Sequence, residues 1–179
     1  MRIAESGFSL LEMLIAMAVG AILMVSVGRF LPLLLAQNLQ LQQRVQLQQE
    51  LQQLSHTLQK ALQRAGYCRG QCSGPALTLA AGGSCLLLRW DENSNGRWEG
   101  VASSDSDYYG YRLRNGQIEM QRGVDNCSGS GWERMTDPAF LSIDIFRLER
   151  QNKRLMLSLV GRAGKQRVQQ ETWIEGGNL

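Results

Sequence analysis

Residues 7–28 of the chain read GFSLLEMLIAMAVGAILMVSVG. From Phe8 to Gly28 there are 21 residues, and Glu12 is the only charged one among them. At about 1.5 Å per residue, a helix of this length spans about 30 Å, which is the thickness of a hydrocarbon core. This stretch therefore predicts a membrane-length helix near the N-terminus.

Glu12 is an unusual residue for such a helix. A carboxylate at the centre of a bilayer costs roughly 2.5–3.5 kcal/mol or more, so a charge that is kept there usually has a partner. The neighbouring sequence offers no obvious internal partner. We therefore expect the partner of Glu12 to lie in another molecule.

Two other membrane-directed segments fit this stretch less well. Secretory signal peptides have an apolar segment of about 7–15 residues followed by a cleavage site of small residues. Here the apolar segment is longer, contains Glu12 and continues into further helical sequence. A plain signal anchor explains the hydrophobicity but neither the Gly7-Phe8 junction nor the glutamate.

The hexapeptide Gly7-Phe8-Ser9-Leu10-Leu11-Glu12 resembles the type III signal of type IV pilins and of type II secretion pseudopilins. The resemblance implies that a prepilin peptidase cuts between Gly7 and Phe8 and methylates the new N-terminal residue, Phe8. It also implies that the apolar helix packs in the core of a filament. Glu12 takes the fifth mature position, which this family uses to neutralise the N-terminal amine of a neighbouring subunit.

A second helical pattern follows the apolar run. Pro32 removes one backbone hydrogen bond and predicts a kink or a local loosening of the helix. From residue 37 to residue 65 the chain is rich in glutamine, and leucines lie on one helical face at Leu47, Leu51, Leu54, Leu58 and Leu62. This stripe favours packing on the protein's own sheet, with a short coiled coil as the alternative. Gly66 is expected to end the helix as its C-cap residue.

The chain after Gly66 has the pattern of a series of short strands. The predicted strands cover residues 76–81, 85–90, 108–114, 117–122, 141–150, 155–160 and 168–174. Gly82-Gly83 marks a turn, and Asn115-Gly116 is a strong signal for a two-residue hairpin. No crossover helices separate the strands, so we expect the sheet to be antiparallel.

Together these patterns predict an α+β, pilin-like fold in which a long N-terminal helix, part transmembrane and part amphipathic, packs on an antiparallel β-sheet. Four segments are expected: a leader peptide at 1–7, a transmembrane and filament-core helix at 8–36, an amphipathic helix that continues it at 37–66, and a periplasmic antiparallel β domain at 67–179. The last segment is long enough to bury a core of its own.

All four cysteines lie after the membrane segment: Cys68, Cys72, Cys85 and Cys127. An even number of cysteines in an exported domain indicates disulfides, and four cysteines allow three pairings among which the sequence does not choose. We favour Cys68 with Cys72, which flank a short loop, and Cys85 with Cys127. Zinc is the rival interpretation, but the spacing is not that of a zinc site and the only histidine, His56, is distant in the sequence.

A loop after the second predicted strand carries oxygen-bearing side chains at alternate positions. Residues 91–96 read DENSNG, as in the first half of a calcium loop, and Glu99 could supply a later ligand. The position for the bidentate glutamate holds Ala102 instead. A tight turn is the alternative, because Asn, Ser and Gly also favour turns. Calcium is kept as a hypothesis, and no other cofactor is expected; the candidate ligands are Asp91, Asn93, Asn95 and Glu99.

Composition argues against two classes of function. The net charge is +3 and the Lys and Arg residues are scattered, so no nucleic acid partner is expected. His56 faces away from the leucine stripe and is interpreted as solvated, and the pair Asp105 and Asp107 as surface loop charges rather than an acid/base pair. We therefore do not expect an enzyme. The aromatic residues concentrate in the β region, where packing is favoured over a binding surface.

Residues that follow the signal resemble particular members of this family. The segment Ala65-Gly66-Tyr67-Cys68 and the Trp-Asp-x-Asn-x-Asn-Gly loop at residues 90–96 resemble the W-type minor pilins and the J-type pseudopilins. With its cysteines, the chain is most similar to the prepilin-peptidase-dependent minor pilins of enterobacterial type IV pili. The expected function is a minor pilin that helps to initiate a type IV pilus at or near its tip. A J-type minor pseudopilin of a type II secretion system is the alternative, and a membrane-anchored adhesin or calcium-dependent binding module is less favoured.

The expected function as a minor pilin implies a cellular location and a set of partners. The expected partners are a prepilin peptidase, other minor pilins, the major pilin and the lipid of the inner membrane. We expect a single-pass protein of the bacterial inner membrane with its globular domain in the periplasm. After assembly it would lie in the pilus or pseudopilus.

Overall fold

A long helix begins the computed structural model of the chain, which describes residues 9–152 and 154–178. Helix α1 extends over Leu10–Arg64, 55 residues, close to the two helical segments predicted at 8–36 and 37–66. It continues through Pro32, whose fixed φ is compatible with a helix although its missing N–H removes one hydrogen bond. Gly66 follows with a φ of 86°, the left-handed conformation predicted for the residue that ends the helix.

The chain divides into two compact units, Met1–Gln42 and Gln43–Leu179. In the first unit, the described residues expose nearly all of their side chains; Leu23 and Phe30, for example, are 60% and 67% exposed. Within the described residues, α1 is the one helix long and apolar enough to cross a membrane, with a mean hydropathy of 2.4 over its most apolar window. Because such a surface is unfavourable in water, this unit needs apolar surroundings from outside the chain.

In the second unit, the C-terminal part of α1 packs on β-structure through the predicted stripe. All five stripe leucines are buried: Leu47, Leu51, Leu54, Leu58 and Leu62. Burial of each such side chain is worth about 1.5–3 kcal/mol. The helix from Gln43 onward belongs to the same compact unit as the strands. The contacts of this stripe, which begins at Leu47, join the helix to the strands.

The first five strands form one antiparallel sheet in sequential order. Its strands are β1 (Leu77–Ala80), β2 (Cys85–Arg89), β3 (Tyr108–Arg114), β4 (Gln117–Arg122) and β5 (Glu133–Arg134). A 3-10 turn at Ala81–Gly83 joins β1 to β2, where a turn was predicted. Asn115 and Gly116 join β3 to β4 with φ values of 51° and 73°, which a type I′ hairpin turn requires.

The last three strands form a separate antiparallel sheet in the order β6-β7-β8. They are β6 (Ser142–Gln151), β7 (Arg154–Ala163) and β8 (Gln166–Glu175). The pairing of β6 with β7 is shifted by a bulge between Ile143 and Ile145, whereas β8 pairs regularly with β7 along its whole length. The predicted strands are thus present, but they form two sheets. The two-residue strand β5 was not predicted, because it is too short to show a period.

One hydrophobic core joins the helix to both sheets. The helical leucines share it with Leu86 and Ile118 of the first sheet and with Phe146, Leu157 and Leu159 of the second. The predicted fold class is therefore confirmed: a long N-terminal apolar helix packs against antiparallel β-structure in an α+β, pilin-like fold.

Two disulfides fasten the β region, and together they use all four cysteines of the chain. Cys68 is bonded to Cys72, with a Cα–Cα distance of 6.1 Å, and Cys85 to Cys127, with a Cα–Cα distance of 6.3 Å. This is the pairing that we favoured among the three possible ones. The second disulfide ties β2 to the loop that follows β4.

Candidate functional site

A reciprocal pair of hydrogen bonds holds Glu12 in the first turn of α1. The Glu12 N–H donates to Ser9 Oγ at 3.2 Å, and the Ser9 N–H donates to Glu12 Oε2 at 3.0 Å. This arrangement is a capping box, which satisfies two of the free N–H groups at a helix N-terminus. The carboxylate also lies at the positive end of the helix dipole. Ser9 is thus a hydrogen-bond partner of Glu12 within the chain. Because Ser9 is uncharged and does not neutralise the carboxylate, the expected charge partner in another molecule stays a prediction.

The capping box was readable in the sequence as Ser9-Leu10-Leu11-Glu12, a Ser followed by Glu at the third position. The side chains next to it, Leu10, Leu11 and Met13, are apolar and exposed. One carboxylate is thus presented on an otherwise apolar helical surface. Gly7 and Phe8 lie outside the described residues, so the predicted cleavage and methylation there stay predictions.

Asp91 organises the loop that was considered for calcium. The residue is only 1% exposed; its Oδ1 accepts from the Asn95 N–H at 2.9 Å, and its Oδ2 accepts from the N–H groups of Arg69 at 3.0 Å and Gly96 at 2.9 Å. Burial alone raises the pKa of Asp91, but the backbone hydrogen bonds outweigh this effect and lower the pKa below its usual value. An ionised Asp91 therefore joins the loop of the first disulfide to the loop after β2.

The other three candidate ligands lie close by and are engaged with one another. Asn93 Oδ1 accepts from the Asn95 N–H at 3.1 Å, and Glu99 Oε1 accepts from Asn95 Nδ2 at 2.6 Å and from Arg97 Nε at 2.9 Å. Calcium takes six to eight oxygen ligands, so it would have to displace these donors. In the described part of the chain, no three His, Cys, Asp or Glu side chains are grouped to hold a metal ion. Calcium at this loop stays a prediction.

Asp107 closes the same loop from its far end, and its interpretation as a surface charge is wrong. It is fully buried, and it accepts hydrogen bonds from the N–H groups of Glu92 at 3.1 Å and Glu99 at 3.0 Å. Burial, followed by the proximity of Glu99, raises the pKa of Asp107. The neighbouring Asp107 carboxyl, followed by the side chains of Asn95 and Arg97, lowers the pKa of Glu99 to about 2. The burial of Asp107 depends on the loop folding back on itself, which no local pattern reveals.

Arg112 is a buried cation that the sequence did not single out. Its Nε lies 2.7 Å from Glu119 Oε2, its Nη1 donates to the Cys127 carbonyl at 2.7 Å, and its guanidinium lies over the Trp132 ring at 4.1 Å. A buried arginine needs such a full set of partners. Arg112 therefore positions the loop that carries Cys127. The Trp132 ring packs on the guanidinium of Arg112.

The predicted aromatic residues differ in their burial, and the only histidine is exposed. Trp90 and Tyr109 are buried and stack with ring centroids 3.7 Å apart, so these rings pack in the core as favoured. Trp173 in β8, in contrast, is 51% exposed. His56 is exposed on α1, on the side away from the leucine stripe.

These features together are those of one class of protein. A capped apolar helix with one acidic residue in its first turn, continuous with an amphipathic helix on antiparallel sheets, defines a type IV pilin-like protein. Residues 2–28 match the prokaryotic N-terminal methylation motif, and residues 40–175 match the family Prepilin peptidase-dependent protein B. The chain belongs to the prepilin peptidase-dependent protein B family.

One curated relative agrees with this assignment. The chain is 41% identical over 152 residues to Prepilin peptidase-dependent protein B of Escherichia coli (strain K12), a match that covers 85% of this chain and 81% of the relative. No solved structure matches the chain significantly. The methylation motif implies processing by a prepilin peptidase, and the apolar helix is consistent with a pilin-like protein of the inner membrane. Proteins of this pilin-like class are typically not enzymes.

Proposed function

We propose that this chain is a minor pilin of a type IV pilus and that it helps to initiate filament assembly at or near the tip. The observation that carries the proposal is the exposed apolar part of α1, which presents a single carboxylate within a methylation-motif segment. Such a surface is stable in a membrane or among neighbouring apolar helices, and a pilin passes from the first to the second. The family assignment supports the same role.

Processing is the first step of the proposed pathway. The prepilin peptidase hydrolyses the peptide bond between Gly7 and Phe8, and residues 1–7 leave. The new amine of Phe8 then takes a methyl group from a sulfonium-type methyl donor and releases a proton. The apolar helix stays in the inner membrane as the single anchor. The β domain lies in the periplasm, an oxidising compartment in which its two disulfides persist.

Charge pairing at Glu12 is the second step. Cleavage leaves an ammonium group on Phe8, at the N-terminus of α1, where the helix dipole disfavours a positive charge. The Glu12 carboxylate of a neighbouring subunit could neutralise this group, and attraction between charges is large in a low dielectric. Subunits staggered so that the two groups meet are therefore favoured over unstaggered ones. Apolar contacts between the helices supply the rest of the association.

The partners of the proposed assembly are other minor pilins and then the major pilin. The apolar helix is a general packing element, because any subunit with a similar helix can lie against it. Selection of neighbours therefore falls to the β domain. A low-abundance subunit in which the helix packs with any pilin and the β domain selects particular neighbours is suited to start a filament.

The test is deletion of the gene in its own bacterium, followed by complementation with the full chain. We expect fewer pili per cell by electron microscopy, full recovery on complementation, and unchanged secretion by any type II system. Unchanged pilus numbers would contradict the proposal. Loss of secretion with normal pili would instead identify a J-type pseudopilin.

A further inference from the structure

The open edges of the two sheets differ in how well they are protected. An unpaired strand edge is a template for pairing with another chain, and proteins blunt such edges by keeping them short or covering them. In the first sheet, edge strand β1 has four residues and edge strand β5 has two. Both are too short to offer a long ladder.

The edge strand β6 of the second sheet is covered by the first sheet. The Ile143 N–H donates to the Gly116 carbonyl at 2.7 Å, and Gln117 Nε2 donates to the Leu141 carbonyl at 3.0 Å. Gly83 lies so close to the Leu148 carbonyl that a Cβ there would overlap it. This edge is therefore closed to a partner.

The remaining edge, β8, is neither short nor covered by another described strand, although it carries the charged residues Arg167, Glu171 and Glu175. It has ten residues in a regular register with β7, no bulge, no proline and no lysine. Within residues 9–152 and 154–178, its backbone ladder is formed with β7 alone. The alternate N–H and C=O groups along its other side are free to pair with a further strand.

The inner face of β8 is also incomplete. The inward side chains of β7, including Leu157 and Leu159, are fully buried, whereas Val168, Gln170 and Thr172 of β8 are only half-buried. A strand added beside β8 would cover these three side chains and extend the core. Cross-strand pairs of this kind stabilise a sheet.

We propose that the free edge of β8 is the surface through which the β domain binds a neighbouring subunit, by accepting an edge strand of a different pilin-like protein. This inference rests on the proposed function. Charge favours an occupant with an acidic residue opposite Arg167 and a basic residue opposite Glu171 on the outer face; Arg167 stays exposed although its Nε lies 3.5 Å from Asp144 Oδ2. On its inner face the added strand carries apolar or small residues opposite Val168 and Thr172.

The occupant is a different subunit rather than a second copy. Two identical β8 strands paired antiparallel are related by a two-fold axis perpendicular to the sheet. That axis makes the two helical segments packed on the sheets antiparallel to each other, whereas neighbouring subunits of the proposed filament point the same way. The hydrogen bond of 3.0 Å between Ser55 on α1 and Thr172 on β8 fixes the edge relative to this helical segment.

A matched pair of lysine substitutions tests the edge in the full chain. Gln170→Lys places a charge on the half-buried inner face, where the free edge lets it reach water until a strand is added. Gln169→Lys places the same charge on the outer face, where it stays in solvent in either case. We expect both proteins to melt within about 2 °C of the parent, since surface substitutions change stability little. Pilus numbers should fall about tenfold or more for Gln170→Lys alone, because an enclosed unpaired charge is costly.

Photo-crosslinking in cells that make pili identifies the occupant. A photoreactive residue at Gln170 is expected to give a product that mass spectrometry assigns to a strand of another pilin-like subunit, whereas one at Arg147 on the covered strand β6 gives none. A product with a second copy of this chain, or normal pili with Gln170→Lys, would overturn the edge proposal. If deletion of the whole gene leaves pili unchanged, the proposed function has failed instead.

Discussion

At the scale of single residues, Glu12 combines two roles that compete for the same carboxylate. Within the chain it accepts the Ser9 N–H and caps α1. In the proposed filament it also neutralises the ammonium group of a neighbour's Phe8. The first role needs only a hydrogen-bond acceptor, whereas the second needs a charge. The two can therefore be separated by substitution.

Glu12→Gln keeps an acceptor at the third position of the capping box and removes the charge. We expect this variant to be made and inserted like the parent but to enter filaments roughly tenfold less or worse, because a hydrogen bond to a charged group is worth about 1.5–3 kcal/mol. The measurement is the amount of the chain in sheared pili relative to the membrane fraction. Ser9→Ala is the control, since it removes half of the cap and leaves the charge; normal incorporation of Glu12→Gln would refute the pairing.

Gly66 shows how one residue ends a helix. Its φ of 86° favours glycine, and a Cβ there would overlap the backbone carbonyl of Asn178. Gly164 has a φ of 55° and nothing within 4 Å of such a Cβ. Gly164→Ala should cost about 1–2 kcal/mol from backbone strain alone, and Gly66→Ala should cost more because of the overlap. Thermal unfolding of the two full-length variants in detergent checks this, and equal losses would contradict it.

At the scale of elements, the sequence predicts what repeats locally. The leucine stripe, the Asn115-Gly116 hairpin and the long strands each carry a period or a turn signal, and all are present. The division into two sheets follows from contacts between distant segments, which no local period records. The same holds for buried Asp107 and Arg112, whose partners come from elsewhere in the chain.

The candidate site was predictable to different degrees in its two parts. Glu12 was singled out by its charge in an apolar run. Its capping box can be recognised from the four consecutive residues 9–12. The loop at residues 91–96 was noticed for its oxygen atoms, but the sequence does not say that backbone N–H groups engage the Asp91 carboxylate. A carboxylate that accepts backbone hydrogen bonds and one that binds calcium have the same local sequence.

Calcium binding at this loop makes a measurable prediction. If Asp91, Asn93, Asn95 and Glu99 turn towards an ion, calcium at a hundred times its Kd stabilises the fold by about 2.7 kcal/mol. Differential scanning calorimetry of the full chain should then show a higher Tm with calcium and a lower one with EDTA. Glu99→Gln should abolish the response. A Tm that is the same with calcium and with EDTA would rule out the site.

At the scale of the whole molecule, the two compact units depend on different forces. The described part of Met1–Gln42 exposes its apolar side chains and depends on a membrane or on neighbouring helices. The unit Gln43–Leu179 has its own core and two disulfides. Loss of a disulfide should therefore destabilise the second unit without removing the anchor.

The two disulfides should differ in what they contribute. Cys85–Cys127 closes a loop with a sequence separation of 42, and Cys68–Cys72 one of 4. Chain entropy assigns about 4 kcal/mol to the first and about 2 kcal/mol to the second. We expect the Cys85→Ser, Cys127→Ser variant to melt well below the Cys68→Ser, Cys72→Ser variant, as measured by circular dichroism in detergent. The opposite order would show that the short loop supports the fold by more than its entropy.

The central claim is that this chain is a processed pilin subunit, and the mass of its N-terminal peptide tests that claim most directly. The chain should be purified from membranes and from sheared pili of cells with and without the prepilin peptidase. With the enzyme, we expect the peptide to begin at Phe8 and to carry one methyl group; without it, the peptide should begin before Gly7 and the chain should be missing from the pili. A chain that retains residues 1–7 in cells with an active enzyme would contradict the account.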